Sequence, residues 1–104
     1  MLSMREFVAE QYISGTDADQ AHRDAGIARL CAEQLTREGT PVEFVRSIFI
    51  PRDETCIYIY KAGSIEAVEA ALARTTLRFE RVSEAMTAHG TPASAAQSAQ
   101  ADTK

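Results

Sequence analysis

The stretch Val42-Glu43-Phe44-Val45-Arg46-Ser47-Ile48-Phe49-Ile50, then Pro51-Arg52-Asp53-Glu54, then Thr55-Cys56-Ile57-Tyr58-Ile59-Tyr60-Lys61 decides the fold. β-Branched and aromatic residues crowd both arms, and such side chains suit a pleated, half-buried backbone. Between the arms, Pro51 presets one backbone angle and the Asp53 side chain can bond its own backbone, which is turn chemistry. The arms read as an antiparallel hairpin. If Ile50 pairs with Thr55, then Phe49 faces Cys56, Ser47 faces Tyr58 and Val45 faces Tyr60. Phe44, Arg46, Ile48, Ile57 and Ile59 then share the other face. A hairpin with one side in water alternates apolar with polar, whereas here both faces are largely apolar. One face is expected on helices and the other under a further cover.

Upstream, Glu6-Phe7-Val8-Ala9-Glu10-Gln11-Tyr12 is short, partly alternating and rich in β-formers, which predicts a strand over 5–13. Gly15-Thr16-Asp17 ends it, with Thr16 or Asp17 as a helix N-cap. From Ala18 to Glu38 no proline intervenes, and Ala21, Ala25, Ala28, Ala32 and Leu35 form an apolar stripe at three- and four-residue spacing. Gly39 and Pro41 stop this helix. Downstream, Ser64 caps a second helix whose stripe is Ile65, Val68 and Leu72; Ala67 stands where a full capping box has Glu or Gln. Leu77 to Met86, with Phe79 and Val82, reads as a last strand. The order βαββαβ is that of the ferredoxin-like α+β fold, a four-stranded antiparallel sheet with two helices on one face. A parallel sheet is disfavoured because a tight turn, not a crossover helix, joins the two middle strands.

The chain of 104 residues has room for one core, read as a domain over 1–86. Beyond Met86, the Ala-, Ser- and Gln-rich residues 87–104 have nothing with which to drive burial and are expected to form a disordered tail. A net charge of -4 with no basic cluster opposes nucleic-acid binding. No apolar run approaches the roughly 20 residues of a membrane span. The N-terminal residues lack the basic and apolar regions of a secretory signal, so a cytoplasmic protein is expected. Cys31 and Cys56 stand apart rather than in a CxxC pair, and in a reducing compartment they read as free thiols. His22 and His89 do not form a metal-ligand pair, and GxSxG, HExxH and glycine-rich phosphate loops are absent.

A sheet with helices on one side leaves its second apolar face to a ligand, a partner or another copy. Twofold pairing of two sheets is the economical solution, so a homodimer enclosing a cavity is expected. The candidate ligand-binding residues are Glu10, Arg46, Ser47, Tyr58 and Tyr60. Glu10 reads either as a general base or metal ligand facing a semi-enclosed surface, or as a solvated strand residue. Arg46 is the one charge between Glu43 and Ile50, suited to an anionic ligand or to a structural ion pair. Tyr58 and Tyr60 read as pocket-lining donors or as ordinary sheet packing, and Cys56 as core. The residues leave the identity of any cofactor open.

Phe7-Val8-Ala9-Glu10, the run Arg46 to Tyr58, Ala67-Val68 and the run Leu77 to Ala85 together resemble a widespread bacterial family of unknown function that includes a nickel-binding protein of actinobacteria. The resemblance covers roughly residues 5–86, and Arg46-Ser47, Pro51 and Asp53-Glu54-Thr55-Cys56 are its most specific part. It implies a ferredoxin-like fold paired as a dimeric α/β barrel, with nickel as one ligand of the family. Nickel favours imidazole, and a site without it needs carboxylates, carbonyls or water. The wider dimeric-barrel group also implies, as an alternative, a cofactor-independent oxygenase, isomerase or cyclase with its pocket between sheet and partner. The sequence thus leads to a small homodimeric binding protein for a small molecule or metal ion.

Overall fold

In the computed structural model, which describes residues 3–90, the hairpin forms in the expected register: Ile50 opposite Thr55, Phe49 opposite Cys56, Ser47 opposite Tyr58. Its strands are β2 (Val42–Ile50) and β3 (Thr55–Ala62). A short 3-10 turn at Pro51–Asp53 joins them, and Glu54 closes it in the left-handed region at φ 52°. Further along, the register slips between Phe44 and Arg46, and Phe44 rather than Val45 stands opposite Tyr60. A bulge places one extra residue in one strand and reverses the facing of everything beyond it. Here it turns the larger ring toward the helices, where Phe44 meets Tyr60 edge-on at 5.5 Å and Tyr58 at 6.1 Å. Phe44 therefore leaves the open face to which simple alternation assigned it.

The remaining elements are β1 (Arg5–Tyr12), α1 (Ala18–Arg37), α2 (Ile65–Thr75) and β4 (Arg81–Ala85). The sheet order is β2-β3-β1-β4 with every neighbouring pair antiparallel. This is the ferredoxin-like α+β arrangement. Asp17 caps α1 by accepting from the Gln20 N–H at 3.0 Å, and Ser64 caps α2 by accepting from the Ala67 N–H at 3.2 Å. Each cap satisfies a donor that helical geometry leaves free. After α1, Gly39 takes φ 109°, a conformation side chains resist. Gly15, ahead of α1, is required by space: a Cβ there would lie 2.5 Å from the Pro51 carbonyl oxygen.

The core lies between the sheet and the helices. Phe7, Ala9, Cys56, Tyr58, Tyr60 and Ala62 descend from β1 and β3 onto Ala28, Ala32 and Leu35 of α1 and Val68, Ala71 and Leu72 of α2. Small residues on α1 leave room for the tyrosine rings. Asp24 is buried in the stripe while Ala25 is half-buried, because β1 supplies a polar partner for the carboxylate. The last strand is shorter than the expected run to Met86. Leu77 to Glu80 form a connection, in which Phe79 packs its ring edge-on to Tyr58 at 5.1 Å and the Glu80 N–H donates to the Glu10 carbonyl. Of the expected tail 87–104, only 87–90 fall among the described residues, without regular structure; 91–104 lie outside them. Among the described residues no helix is long and apolar enough to cross a membrane.

Candidate functional site

The sheet separates the five sequence-predicted site residues into two groups. Ser47, Tyr58 and Tyr60 turn toward the helices, while Glu10 and Arg46 belong to the open face. They do not share one cavity.

On the helix side the polar groups form a closed network. The Tyr58 hydroxyl donates to Gln11 Oε1, Gln11 Nε2 donates to Asp24 Oδ2 at 3.0 Å, and Gln20 Nε2 reaches the same oxygen at 3.3 Å. Asp24 is thereby held by two amides in place of a cation. Burial raises the Tyr58 and Tyr60 phenols far above their ordinary range, with the neighbouring Cys56 adding to the effect at Tyr58 and Cys31 at Tyr60. Burial also raises the Cys56 thiol, against hydrogen bonds from Tyr58 and Ser47 that act in the opposite direction. All three residues are fully buried. Their chemistry is that of neutral core groups, and the Tyr60 hydroxyl has no hydrogen-bond partner among the described residues.

The open face can be laid out from the strand register, since residues opposite one another in alternate positions share a side. One rank across the sheet is Ala85, Glu6, Lys61 and Glu43; the next is Ser83, Val8, Ile59 and Arg46. A third rank is Arg81, Glu10, Ile57 and Ile48, and beyond it come Tyr12, Thr55 and Ile50. Val8, Ile59, Ile57 and Ile48 thus make an apolar floor on the outside of the domain, with Ile48 at 40% exposure. The charges around it are not equivalent. Glu10 meets Arg81 at 3.4 Å, and Lys61 stands between Glu6 and Glu43. Arg46, delivered to the open face just past the bulge, forms no ion pair among the described residues.

Thr87 to Gly90 pass over the Arg46 side of this face and close a cavity of about 370 Å³ with Glu6, Val45, Arg46, Ile59 and Lys61. The Thr87 hydroxyl donates to the Glu6 carboxylate, fixing where the chain crosses. Glu6, Val8 and Lys61 follow from period-two alternation outward from Glu10 and Ile59, so the sequence carried a signal for them. His89, which also borders the cavity, carried none. A second concavity of about 190 Å³, near the Glu54 turn, is bordered by Glu10, Asp53, Glu54 and Glu80. Two of these carboxylates are engaged, Glu10 by Arg81 and Glu54 by the Gly15 N–H at 3.0 Å. Among the described residues, no group of three or more His, Cys, Asp and Glu side chains converges as a metal site.

Strand order and helix placement define a small ferredoxin-like domain. Among solved structures the chain is similar to SCO4226 from Streptomyces coelicolor A3(2), with 19% identity and a TM-score of 0.61, over 81% of this chain and 99% of that one. At that identity the likeness establishes the fold. No protein-family model matches the sequence, and no curated protein does.

Proposed function

We propose that the protein is a small homodimeric binding protein that holds a small molecule against the open face of its sheet, with the sheet of a second copy as the cover. The observation that carries this reading is the floor of Val8, Ile59, Ile57 and Ile48. These side chains lie outside a core already completed by the helices on the other face. Apolar area left in water forgoes about 25 cal/mol for every Å² that a partner or ligand would cover. Both cysteines are free thiols, which accords with a cytoplasmic setting. A nickel ion, suggested by the family resemblance, does not fit the donors of a single chain, because no three suitable side chains come together among the described residues. The enzymatic alternative would call on Glu10 as a base, yet its carboxylate is already occupied by Arg81.

Sedimentation equilibrium tests the assembly. At about 10–50 µM, a range in which sizeable apolar interfaces are formed, wild type is expected to be a dimer. Ile57→Glu places a charge in the middle of the floor and is expected to give a monomer whose helical circular dichroism is unchanged. A monomeric wild type overturns the reading, as does an Ile57→Glu variant that remains dimeric.

A further inference from the structure

Arg46 differs from every other cation on the open face. Arg81 is paired with Glu10 and Lys61 is flanked across the strands by Glu6 and Glu43, whereas Arg46 shares its rank with Val8 and Ile59 and has no carboxylate partner among the described residues. The unbroken register from the turn puts it there, opposite Ile59, and the bulge at Val45 then turns Phe44 away, leaving Arg46 as the last residue of β2 before the slip on that face. An arginine beside an apolar surface is a fork of donors matched to a planar carboxylate. From these observations, and resting on the open face being the binding site, we propose that the ligand is an amphipathic monocarboxylate: its carboxylate takes both arms of the Arg46 guanidinium, and its apolar body lies across Ile59, Val8, Ile57 and Ile48.

The surrounding charges narrow the class. Glu6 and Glu43 stand in the rank on one side of Arg46, and Glu10 in the rank on the other. A ligand with several negative charges would meet these carboxylates, and such repulsion is how a site rejects a competitor. One negative charge is matched; phosphates and polycarboxylates are not. The dimensions also agree. Neighbouring strands are about 4.8 Å apart and same-face residues about 6.7 Å apart along a strand, so a floor spanning three strands and two ranks is about 10 by 7 Å. That is room for a medium-length alkyl chain or a fused aromatic pair. The cavity beneath Thr87 to Gly90 opens on the same guanidinium and gives the carboxylate a partly enclosed seat.

The test uses decanoate and its uncharged counterpart decanol as probes, titrated calorimetrically into the full chain below their aggregation limits, with oligomeric state measured on the same samples. Wild type is expected to bind decanoate saturably and more tightly than decanol. Arg46→Gln is expected to lose about tenfold to a hundredfold in decanoate affinity, the contribution of a hydrogen-bonded charge, with decanol binding unchanged. Arg46→Lys should recover part of the loss, and Arg78→Gln, an exposed arginine in the connection before β4, should lose nothing. Absence of saturable decanoate binding overturns the ligand class, as does equal affinity for decanol or indifference to Arg46→Gln. A dimer that fails to bind decanoate removes this inference alone. A monomer removes the homodimer reading, and if the monomer binds decanoate through Arg46 the ligand class still stands.

Discussion

Strand β3 presents two chemically similar surfaces with opposite fates. Cys56, Tyr58, Tyr60 and Ala62 are fully buried under the helices, while Ile57 and Ile59, between them in sequence and more apolar than tyrosine, are only half-buried. Side-chain hydrophobicity does not decide the difference. What decides it is which face the chain's own helices reach, and both connections that contain helices return to the same side of the sheet. The helix face satisfies itself with rings, small alanines and a hydrogen-bonded Asp24. The open face keeps an apolar floor and an arginine that has no ion-pair partner among the described residues. One surface is organised for stability, and the other is the one to which the proposed function assigns a ligand and a second copy.

The largest break in this comparison comes from truncation on each side. Phe7→Ala removes a ring that is 1% exposed and is expected to destabilise the fold by about 3–5 kcal/mol, the usual range when a buried aromatic leaves a cavity. Ile48→Ala, on the open face at 40% exposure, is expected to cost less than about 1 kcal/mol to the folded monomer. Urea denaturation of both variants, in dilute solution where assembly does not contribute, measures the pair. Comparable losses would mean that the open face is as much a core as the helix face.

Much of this division was legible in the sequence, and where it was not the reasons are local. The hairpin register from Ile50 to Ser47, both helix caps and the βαββαβ order follow from turn chemistry, capping residues and periodicity, which are short-range effects. The bulge at Val45 follows from no such rule. It arises because the helix side has room for the Phe44 ring beside Tyr58 and Tyr60, a packing preference that exists only once α1 and α2 are in place. Alternation already put Tyr58 and Tyr60 on the face opposite Arg46; which of the two faces the helices take was not legible, because both read as apolar. Asp24 was invisible as a core residue, because its partners reach it from elsewhere, Gln11 from strand β1 and Gln20 from one helical turn away. The shortened β4 reflects Phe79 turning into the core instead of extending a strand.

Alkaline pH sharpens the contrast through the groups that only the helix face buries. Burial raises the Cys56 thiol above its ordinary value of 9.0 and the Tyr58 and Tyr60 phenols above 10.0. The folded chain therefore keeps protons that the unfolded chain gives up. Stability from this source is complete below the ordinary values and is lost as pH rises past them toward the folded ones. Each group that ionises only in the unfolded chain contributes a slope of about 1.4 kcal/mol per pH unit, so the melting temperature is expected to fall by several degrees between about pH 9 and 11. In a Tyr12→Phe background, tyrosinate absorbance after a pH jump should grow at the rate at which helical dichroism is lost. Immediate tyrosinate formation in a still-helical protein would show that water reaches Tyr58 or Tyr60.

The smallest and most discriminating effect concerns one oxygen on each buried tyrosine. The Tyr58 hydroxyl donates to Gln11, which in turn holds Asp24, so Tyr58→Phe leaves the Gln11 Oε1 acceptor unpaired in a dry site. The expected cost is about 1–2 kcal/mol, the penalty for a buried polar group deprived of its partner. Tyr60 is buried as completely but its hydroxyl meets no partner among the described residues. Removing that oxygen relieves a desolvation penalty and breaks no bond. Tyr60→Phe is therefore expected to lie within about 0.5 kcal/mol of wild type or to stabilise the fold slightly, since the ring and its contact with Phe44 remain. Guanidinium unfolding at pH 7 compares the two variants directly, and their identical chemistry cancels most effects on the unfolded chain. Equal losses would mean that the Tyr60 hydroxyl has a bonding partner of its own, such as a buried water. The opposite ranking, with Tyr60→Phe the costlier change, would show that the Gln11 and Asp24 network contributes nothing to holding the helix face together.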